Sequence, residues 1–370
     1  MNKVIIIDPV GSKAGMDYYN EHLLESLQNQ KINTYLSSNY KSNFVEKNLM
    51  IFSSKHYNKK INKIINLIKG YFITLFFMKK NNIDNCIIHI FSSEIKDFIL
   101  VFIMNLFNIK INLIAHDISG FTKNDNKFIK TYLYKIASNI VVHNNFSKEK
   151  LLNILPYIDK KLQVIKHGAF TDMYNAELHR GDSFETLGLD PTKKYVLFFG
   201  QIKKVKGLDI LIKSFSKIND ENIHLIIAGK VWYDDFTIYD DLISKYQLKK
   251  RVHKIIRFVT DNERELLFKI SSFVVLPYRE IYQSGVLLMA MSLKIPVIAS
   301  SLVPNKEVIE NKKNGFLFDE EDDLSKIIIK NIYKGNLLNE ISENAYQTML
   351  KEFSWAEIGQ KHADYLKRQK

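Results

Sequence analysis

At 370 residues, with 46% hydrophobic and 25% charged side chains, the chain has the make-up of an ordinary globular protein and enough length for two domains. Disorder and collagen-like repeats are excluded. The single cysteine, Cys86, excludes an intramolecular disulfide and, with no signal-peptide pattern at the start, leads us to expect a reducing cytoplasm. The formal charge of +13 is unevenly held: residues 1–170 carry 23 lysines, no arginine and 12 acidic residues, a net +11, and from Lys47 through Lys55, Lys59, Lys60, Lys63 and Lys69 to Lys79 and Lys80 no acid intervenes.

Taken in chain order, continuous apolar runs predict strands at 4–7, 49–51, 86–91, 111–115, 140–143 and 162–165, with a helix over 16–28 after the first. Such largely apolar runs, separated by helices, are the mark of a parallel sheet covered on both faces. The longest, 98–107, contains Asn105 and is shorter than the roughly 20 residues a spanning helix needs, so no segment is expected to cross a membrane. Residues 171–194, rich in polar residues and punctuated by Gly181, Gly188 and Pro191, read as a linker. The rhythm then restarts, with strands predicted at 195–199, 223–228, 252–258, 273–277 and 295–299 and helices at 207–218, 238–246, 262–270 and 283–293. The expected domains are therefore 1–170 and 195–352, two doubly wound sheets facing a cleft at their carboxyl-end loops.

Glycine is scarce, 14 residues or about 4% against a usual level of about 7%, so glycines at strand-to-helix junctions carry information. Gly200 ends one strand and Gly207 opens a helix, with Lys203, Lys204 and Lys206 between them. Backbone N–H groups, a helix amino end and cations suit a phosphate; an ordinary loop with solvated lysines has the same spacing. After the strand 273–277 come Glu280 and then Ser284, Gly285 and Val286, where Ser284 can cap a helix and Gly285 lets backbone approach a ligand closely. Glu280 is placed to accept hydrogen bonds from hydroxyl groups, although a well-capped buried helix would look alike.

Together these loops resemble glycosyltransferase family 4. The run from Phe198 through Gly200 to Lys206-Gly207-Leu208-Asp209 is similar to that family's donor-phosphate loop. Leu276-Pro277-Tyr278-Arg279-Glu280 followed by Gln283-Ser284-Gly285, Ala290-Met291 and Pro296 is similar to its sugar loop. Ala228-Gly229, Asn314-Gly315 and Phe353-Ser354-Trp355 follow in the family's order. The likeness departs at two places. The two glutamates many members carry fall here at Ile281 and Met289, which leaves ribose recognition open and matches a subset with a Gln-Ser-Gly turn. Gln201 and Lys203 stand where members place a phosphate-loop arginine.

The resemblance implies a GT-B α/β fold and a retaining transferase that uses a UDP- or GDP-sugar and no metal. It implies roles for Lys203, Lys206, Glu280 and His116 in the reaction, with Gly15, Gly200, Val259, Ser284, Gly285 and Val286 on the donor. His116, after the strand 111–115, would lie beside the transferred sugar. Gly15 belongs to a Gly-rich loop after the first strand, and Val259 to a stretch whose backbone meets the base. The terminal helix, 355–368, would pack back on the first domain. His143 and His167 read as satisfying local backbone groups, and Glu263 as a helix-start residue. No His/Cys/Asp pattern has metal-ligand spacing. The lysine-rich segment from Lys55 to Lys80, with its aromatics, suits an anionic membrane surface carrying a lipid-linked glycan acceptor, which would put the protein at the inner face of the cytoplasmic membrane; a solvated helix is the alternative. Rival readings are a catalytically silent subunit of the same fold, an epimerase or phosphorylase, and a nucleic-acid-binding protein, the last disfavoured because the basic half lacks arginine and known motifs.

Overall fold

The computed structural model describes residues 3–45, 47–52, 60–118, 126–232 and 235–367. The chain divides into two compact units, Met1–Gly168 with Phe353–Lys370, and Ala169–Glu352.

The first unit is built on a seven-stranded, wholly parallel sheet. Its strands are β1 (Lys3–Asp8), β2 (Asn33–Ser38), β3 (Asn48–Met50), β4 (Asn85–Ile90), β5 (Lys110–Ala115), β6 (Asn139–Val142) and β7 (Leu162–Val164), in the order β3-β2-β1-β4-β5-β6-β7. β1 reads Lys-Val-Ile-Ile-Ile-Asp and is buried from its second residue onward, as a central strand covered on both faces must be. Strand order reverses between β1 and β4, so their carboxyl ends open the crevice where such sheets bind ligands.

The helix Met16–Asn29 buries Tyr19, Leu23, Leu24 and Leu27 against this sheet. The helix Trp355–Lys367 packs on it through Gly359, where an added Cβ would lie 2.3 Å from Ser26 Cβ. Gly168 gives similar room to Trp355, its Cβ position being 2.0 Å from that indole.

The second unit repeats the plan with six parallel strands: β8 (Lys194–Phe199), β9 (Ile223–Ala228), β10 (Val252–Ile255), β11 (Ser271–Leu276), β12 (Val297–Ser300) and β13 (Phe316–Phe318), in the order β10-β9-β8-β11-β12-β13. Here the reversal lies between β8 and β11. Leu208, Leu211 and Phe215 of the helix Leu208–Phe215 are fully buried on Val196, Phe198 and Phe273.

The structure corrects several expectations. Residues 171–194 are no bare linker: they contain a 3-10 turn at Thr171–Met173 and the helix Arg180–Leu187, which packs on the helix Asp261–Ile270, and all lie in the second unit. Phe184 supplies the apolar anchor there, and Gly188 at φ 64 stops the helix. β10 ends at Ile255, so Arg257–Val259 is loop, and β2 and β13 were not predicted. Lys55 and Lys59 lie outside the described residues. The helix Lys60–Lys80 is long and apolar enough over Ile61–Lys80 to cross a membrane, contrary to the expectation from run length. It buries Tyr71, Thr74, Leu75 and Met78, which ties one side of its second half to the unit.

Candidate functional site

The loops after β8 and β11 meet at the reversal point of the second sheet. Gly200 takes φ 111 and Gly229, after β9, φ 153; a Cβ on Gly229 would sit 1.7 Å from the Gly200 carbonyl oxygen, so the two backbones touch because neither has a side chain. Gly207 takes φ 65, and its Cβ would fall 1.8 Å from the Pro277 carbonyl oxygen. The loop after β8 is thus pressed against the one after β11.

Arg279 fastens the contact. Its backbone N–H donates to the Val205 carbonyl at 2.9 Å, Nη1 to the Lys204 carbonyl at 3.0 Å, and Nη1 and Nη2 fork onto the Asp209 carboxylate at 2.7 and 2.6 Å. Hydrogen bonding and the opposite charge hold the Asp209 carboxyl below its usual range against the opposing effect of burial, and raise the guanidinium.

On this frame Lys206 Nζ lies over the Tyr278 ring, 3.8 Å from its centroid, and Lys203 Nζ over Trp232 at 5.4 Å. Tyr278 is buried and its hydroxyl, paired with Ser284, is pushed up to about 12 by burial, so the ring stays neutral beneath the cation. Ser284 caps the helix Gly285–Ser292 by accepting from the Leu287 N–H at 3.2 Å. That leaves the first-turn N–H groups of Gly285 and Val286 pointing outward from a helix start. Val286 reaches Gly200: a Cβ there would stand 3.5 Å from Val286 Cγ2.

The structure therefore gathers Gly200, Lys206, Ser284, Gly285 and Val286 on one side of the unit, with Lys203 on the loop beside them. Glu280 is exposed at the rim, with no hydrogen-bond or ion-pair partner among the described residues. Ile281 is buried. Val259 is half-buried in the loop after β10. That loop is braced by the Arg257–Glu263 fork at 2.9 and 2.5 Å and by the capping box of Thr260 and Glu263. These bonds hold the Glu263 carboxyl down to about 2, which makes Glu263 the helix-start residue expected. An open cavity of about 570 Å³ in the same unit, bordered by Tyr174, Asn175 and Arg264, shares no residue with these loops.

In the first unit Gly15 is exposed at φ 70, closing the turn Gly11–Ala14 and starting the helix Met16–Asn29. The resemblance places His116 beside the transferred sugar. It is buried, stacked on Phe91 at 4.5 Å, and both ring nitrogens are engaged: Nε2 with His89 Nδ1 at 3.0 Å and Nδ1 with His143 Nε2 at 3.3 Å. Both ring nitrogens are thus taken up by neighbouring imidazoles, leaving none for a sugar hydroxyl. His143 bonds the Ile165 carbonyl and His167 the Gly168 carbonyl, the local backbone roles expected of them, but His143 also bonds His116. Among the described residues no group of three or more His, Cys, Asp or Glu side chains could hold a metal ion.

Sequence reasoning missed Arg279 as the tie between loops, since Asp209 lies 70 residues away. It also missed His89. The signal for His89 was present: His89, His116 and His143 recur 27 residues apart, one strand-helix-strand repeat.

Residues 180–348 match the family model of the glycosyl transferases group 1. The matched segment lies within the second unit. The phosphate-like and sugar-like loops both fall within that matched segment. An uncharacterised glycosyltransferase of Methanocaldococcus jannaschii is 26% identical over 261 residues, 67% of this chain and 65% of that protein. A GDP-mannose:glycolipid 4-beta-D-mannosyltransferase of Xanthomonas campestris pv. campestris is 24% identical over 188 residues, 50% of this chain and 52% of that one. The chain thus matches about half to two thirds of the length of these curated relatives.

Among solved structures, the sucrose-phosphate synthase of Thermosynechococcus elongatus superposes with a TM-score of 0.80 at 14% identity, covering 100% of this chain and 99% of that one. HepE of Anabaena in complex with UDP-glucose gives 0.78 at 16% identity, with 100% of both chains covered. The fold, two parallel-sheet α/β units, is that of the GT-B glycosyltransferases.

Proposed function

We propose that the protein transfers a sugar from a nucleotide-diphosphate sugar to an acceptor hydroxyl, with retention at the anomeric carbon and without a metal ion. The observation that carries this reading is the convergence of Gly200, Lys206 and the Ser284–Val286 helix start at the reversal point of the group 1 domain. In the transfer, the bond between the anomeric carbon and the diphosphate oxygen breaks, a bond to the acceptor oxygen forms, and the acceptor proton is released. Negative charge grows on the leaving diphosphate. Lys206, Lys203 and the N–H groups of Gly285 and Val286 are preorganised for that charge, so they stabilise it without reorganising during the step. Lysines in place of a fork-shaped arginine act as point charges. Glu280, exposed and unpaired, would accept from donor-sugar hydroxyls, and the backbone at Val259 would meet the base.

The relatives named above support a UDP- or GDP-linked donor: one carries GDP-mannose in its name, and another was solved with UDP-glucose. A thermal-shift screen against UDP, GDP and their sugars tests the reading. Stabilisation by at least one donor, followed by transfer, is expected. Stabilisation without turnover would favour a silent subunit of the same fold.

We place the acceptor among lipid-linked glycans of surface polysaccharide or glycolipid assembly, at the inner face of the cytoplasmic membrane. Ile61, Ile65, Phe72 and Phe76 share one face of the helix Lys60–Lys80 and are 70, 59, 49 and 73% exposed. The exposed Lys63, Lys69, Lys79 and Lys80 accompany them. Ile95, Phe102 and Leu106 extend the exposed apolar surface along the neighbouring helix Ile95–Leu106. An apolar stripe with lysines beside it suits the interface of an anionic bilayer better than its interior. Vesicles rich in anionic lipid should sediment the protein at low salt, and Phe72→Ser with Phe76→Ser should abolish this. Absence of wild-type binding would remove the membrane from the proposal.

A further inference from the structure

The buried polar chain of the first unit has a proton count that its geometry dictates. At one end Asp8, buried at the carboxyl end of β1, accepts from the Val10 and Gly11 N–H groups at 3.0 Å each and from Asn20 Nδ2 at 2.7 Å. A carboxylate only accepts, so the Asn20 amide turns its nitrogen to Asp8 and its oxygen to His89 Nε2, 2.9 Å away. His89 Nε2 must therefore donate. At the other end His143 Nδ1 lies 3.0 Å from the Ile165 carbonyl and must also donate. Between these ends stand the two ring-to-ring contacts of His116, at 3.0 and 3.3 Å, and each needs one proton. Three imidazoles thus make four hydrogen bonds, all donated by ring nitrogens, and three neutral rings carry only three protons.

Two tendencies compete. Burial, joined at His116 and His143 by the neighbouring imidazoles, drives the rings neutral, pushing His89 down to about 4, His143 to about 3 and His116 well below its usual range. Neutral rings, however, leave one pair of facing nitrogens with no proton between them, and leave the buried Asp8 carboxylate with no counter-charge in the chain; Asp8 raises His89 in return. Among the described residues, groups that face the relay include Asp8 at the end of β1, Tyr19 and His22 on the first helix, Tyr40 beyond β2, His167 beyond β7 and His362 on the last helix. Of these, Asp8 is the acid whose charge acts on His89.

We propose that Asp8, Asn20, His89, His116 and His143 form a single relay that holds four protons on its three rings, so that a buried imidazolium balances the Asp8 carboxylate and fixes the 10–15 loop. In this arrangement His89, His116 and His143 are positioning residues. They hold Asn20, Asn20 holds Asp8, and Asp8 holds the backbone of the turn Gly11–Ala14 that leads into Gly15. The proton count does not depend on the transferase reading.

The 370-residue protein, labelled with 15N-histidine, tests this by two-bond proton–nitrogen correlation at pH 7.5. One buried ring, or one charge shared over the three, should show the imidazolium pattern and keep it above pH 8, well past the ordinary histidine value of about 6.5. His143→Phe shortens the chain to two rings, which two neutral imidazoles satisfy, so the imidazolium signal should vanish while the fold persists. Three neutral wild-type rings at pH 7.5, or an imidazolium signal that survives unchanged in a folded His143→Phe variant, would overturn the proposal. Should that variant not fold, the wild-type titration alone decides.

Discussion

Gly207→Ala probes the join between the two loops of the second unit that follow β8 and β11. The residue takes φ 65, where a side chain costs about 1–2 kcal/mol. The added Cβ would lie 1.8 Å from the Pro277 carbonyl oxygen and 2.9 Å from its carbon, and backbone cannot swing aside as a side-chain tip can. Displacing it adds about 1–3 kcal/mol, as overpacking does elsewhere. The expected loss is therefore about 2–5 kcal/mol. Gly188→Ala is the internal control: φ is 64, but nothing lies within 4 Å of its Cβ position, so only the strain of about 1–2 kcal/mol applies. Urea denaturation followed by fluorescence measures both in a Trp355→Phe background, where Trp232 is the one remaining tryptophan and reports the second unit. Equal losses in the two variants would refute the argument that the loops are in contact at Gly207.

Three further outcomes are expected. Arg279→Lys keeps the charge but loses the fork on Asp209 and the Lys204 carbonyl; because the pair is partly exposed, the stability loss in urea should be about 1 kcal/mol, with donor affinity weakened several-fold by calorimetry. Gly359→Ala should destabilise the first unit by about 1–3 kcal/mol, because its Cβ would lie 2.3 Å from Ser26 Cβ and 3.0 Å from the backbone of that residue. His362 is buried, its Nε2 has no hydrogen-bond partner, and burial pushes it down to about 3. A lowered histidine is neutral when folded and takes up a proton on unfolding below about 6.5, so its contribution is lost as pH falls from 6.5 towards 3. His362→Leu should therefore gain stability relative to wild type by about 1.4 kcal/mol between pH 8 and 5.5 in urea titrations, and a gap that does not change with pH would count against it.

The sheets were readable where strands are buried on both faces and so carry unbroken apolar runs, as in β1, β8 and β11. β2 was not, because Asn-Thr-Tyr-Leu-Ser-Ser owes its place to hydrogen bonds: Ser38 Oγ donates to the Asp8 carbonyl at 2.7 Å, and Ser37 pairs with Thr74. The helix Arg180–Leu187 hid for a related reason, since in its eight residues Phe184 is the one buried large apolar side chain and only Leu187 is apolar besides. In the candidate site, glycines and caps were legible because they answer to local backbone geometry. The Arg279–Asp209 fork and the histidine relay were not, because they depend on which strand ends the topology brings side by side. The same topology turned His116 from an expected sugar contact into the centre of a buried chain.

The most direct test of the account is release of nucleoside diphosphate from a panel of UDP- and GDP-sugars, compared between wild type and Lys206→Ala. The account predicts turnover with at least one donor. It predicts a fall of roughly tenfold or more in the variant at an unchanged urea midpoint, the scale of one lost charge-stabilising contact. No release from any donor, or equal release from both proteins, would contradict it.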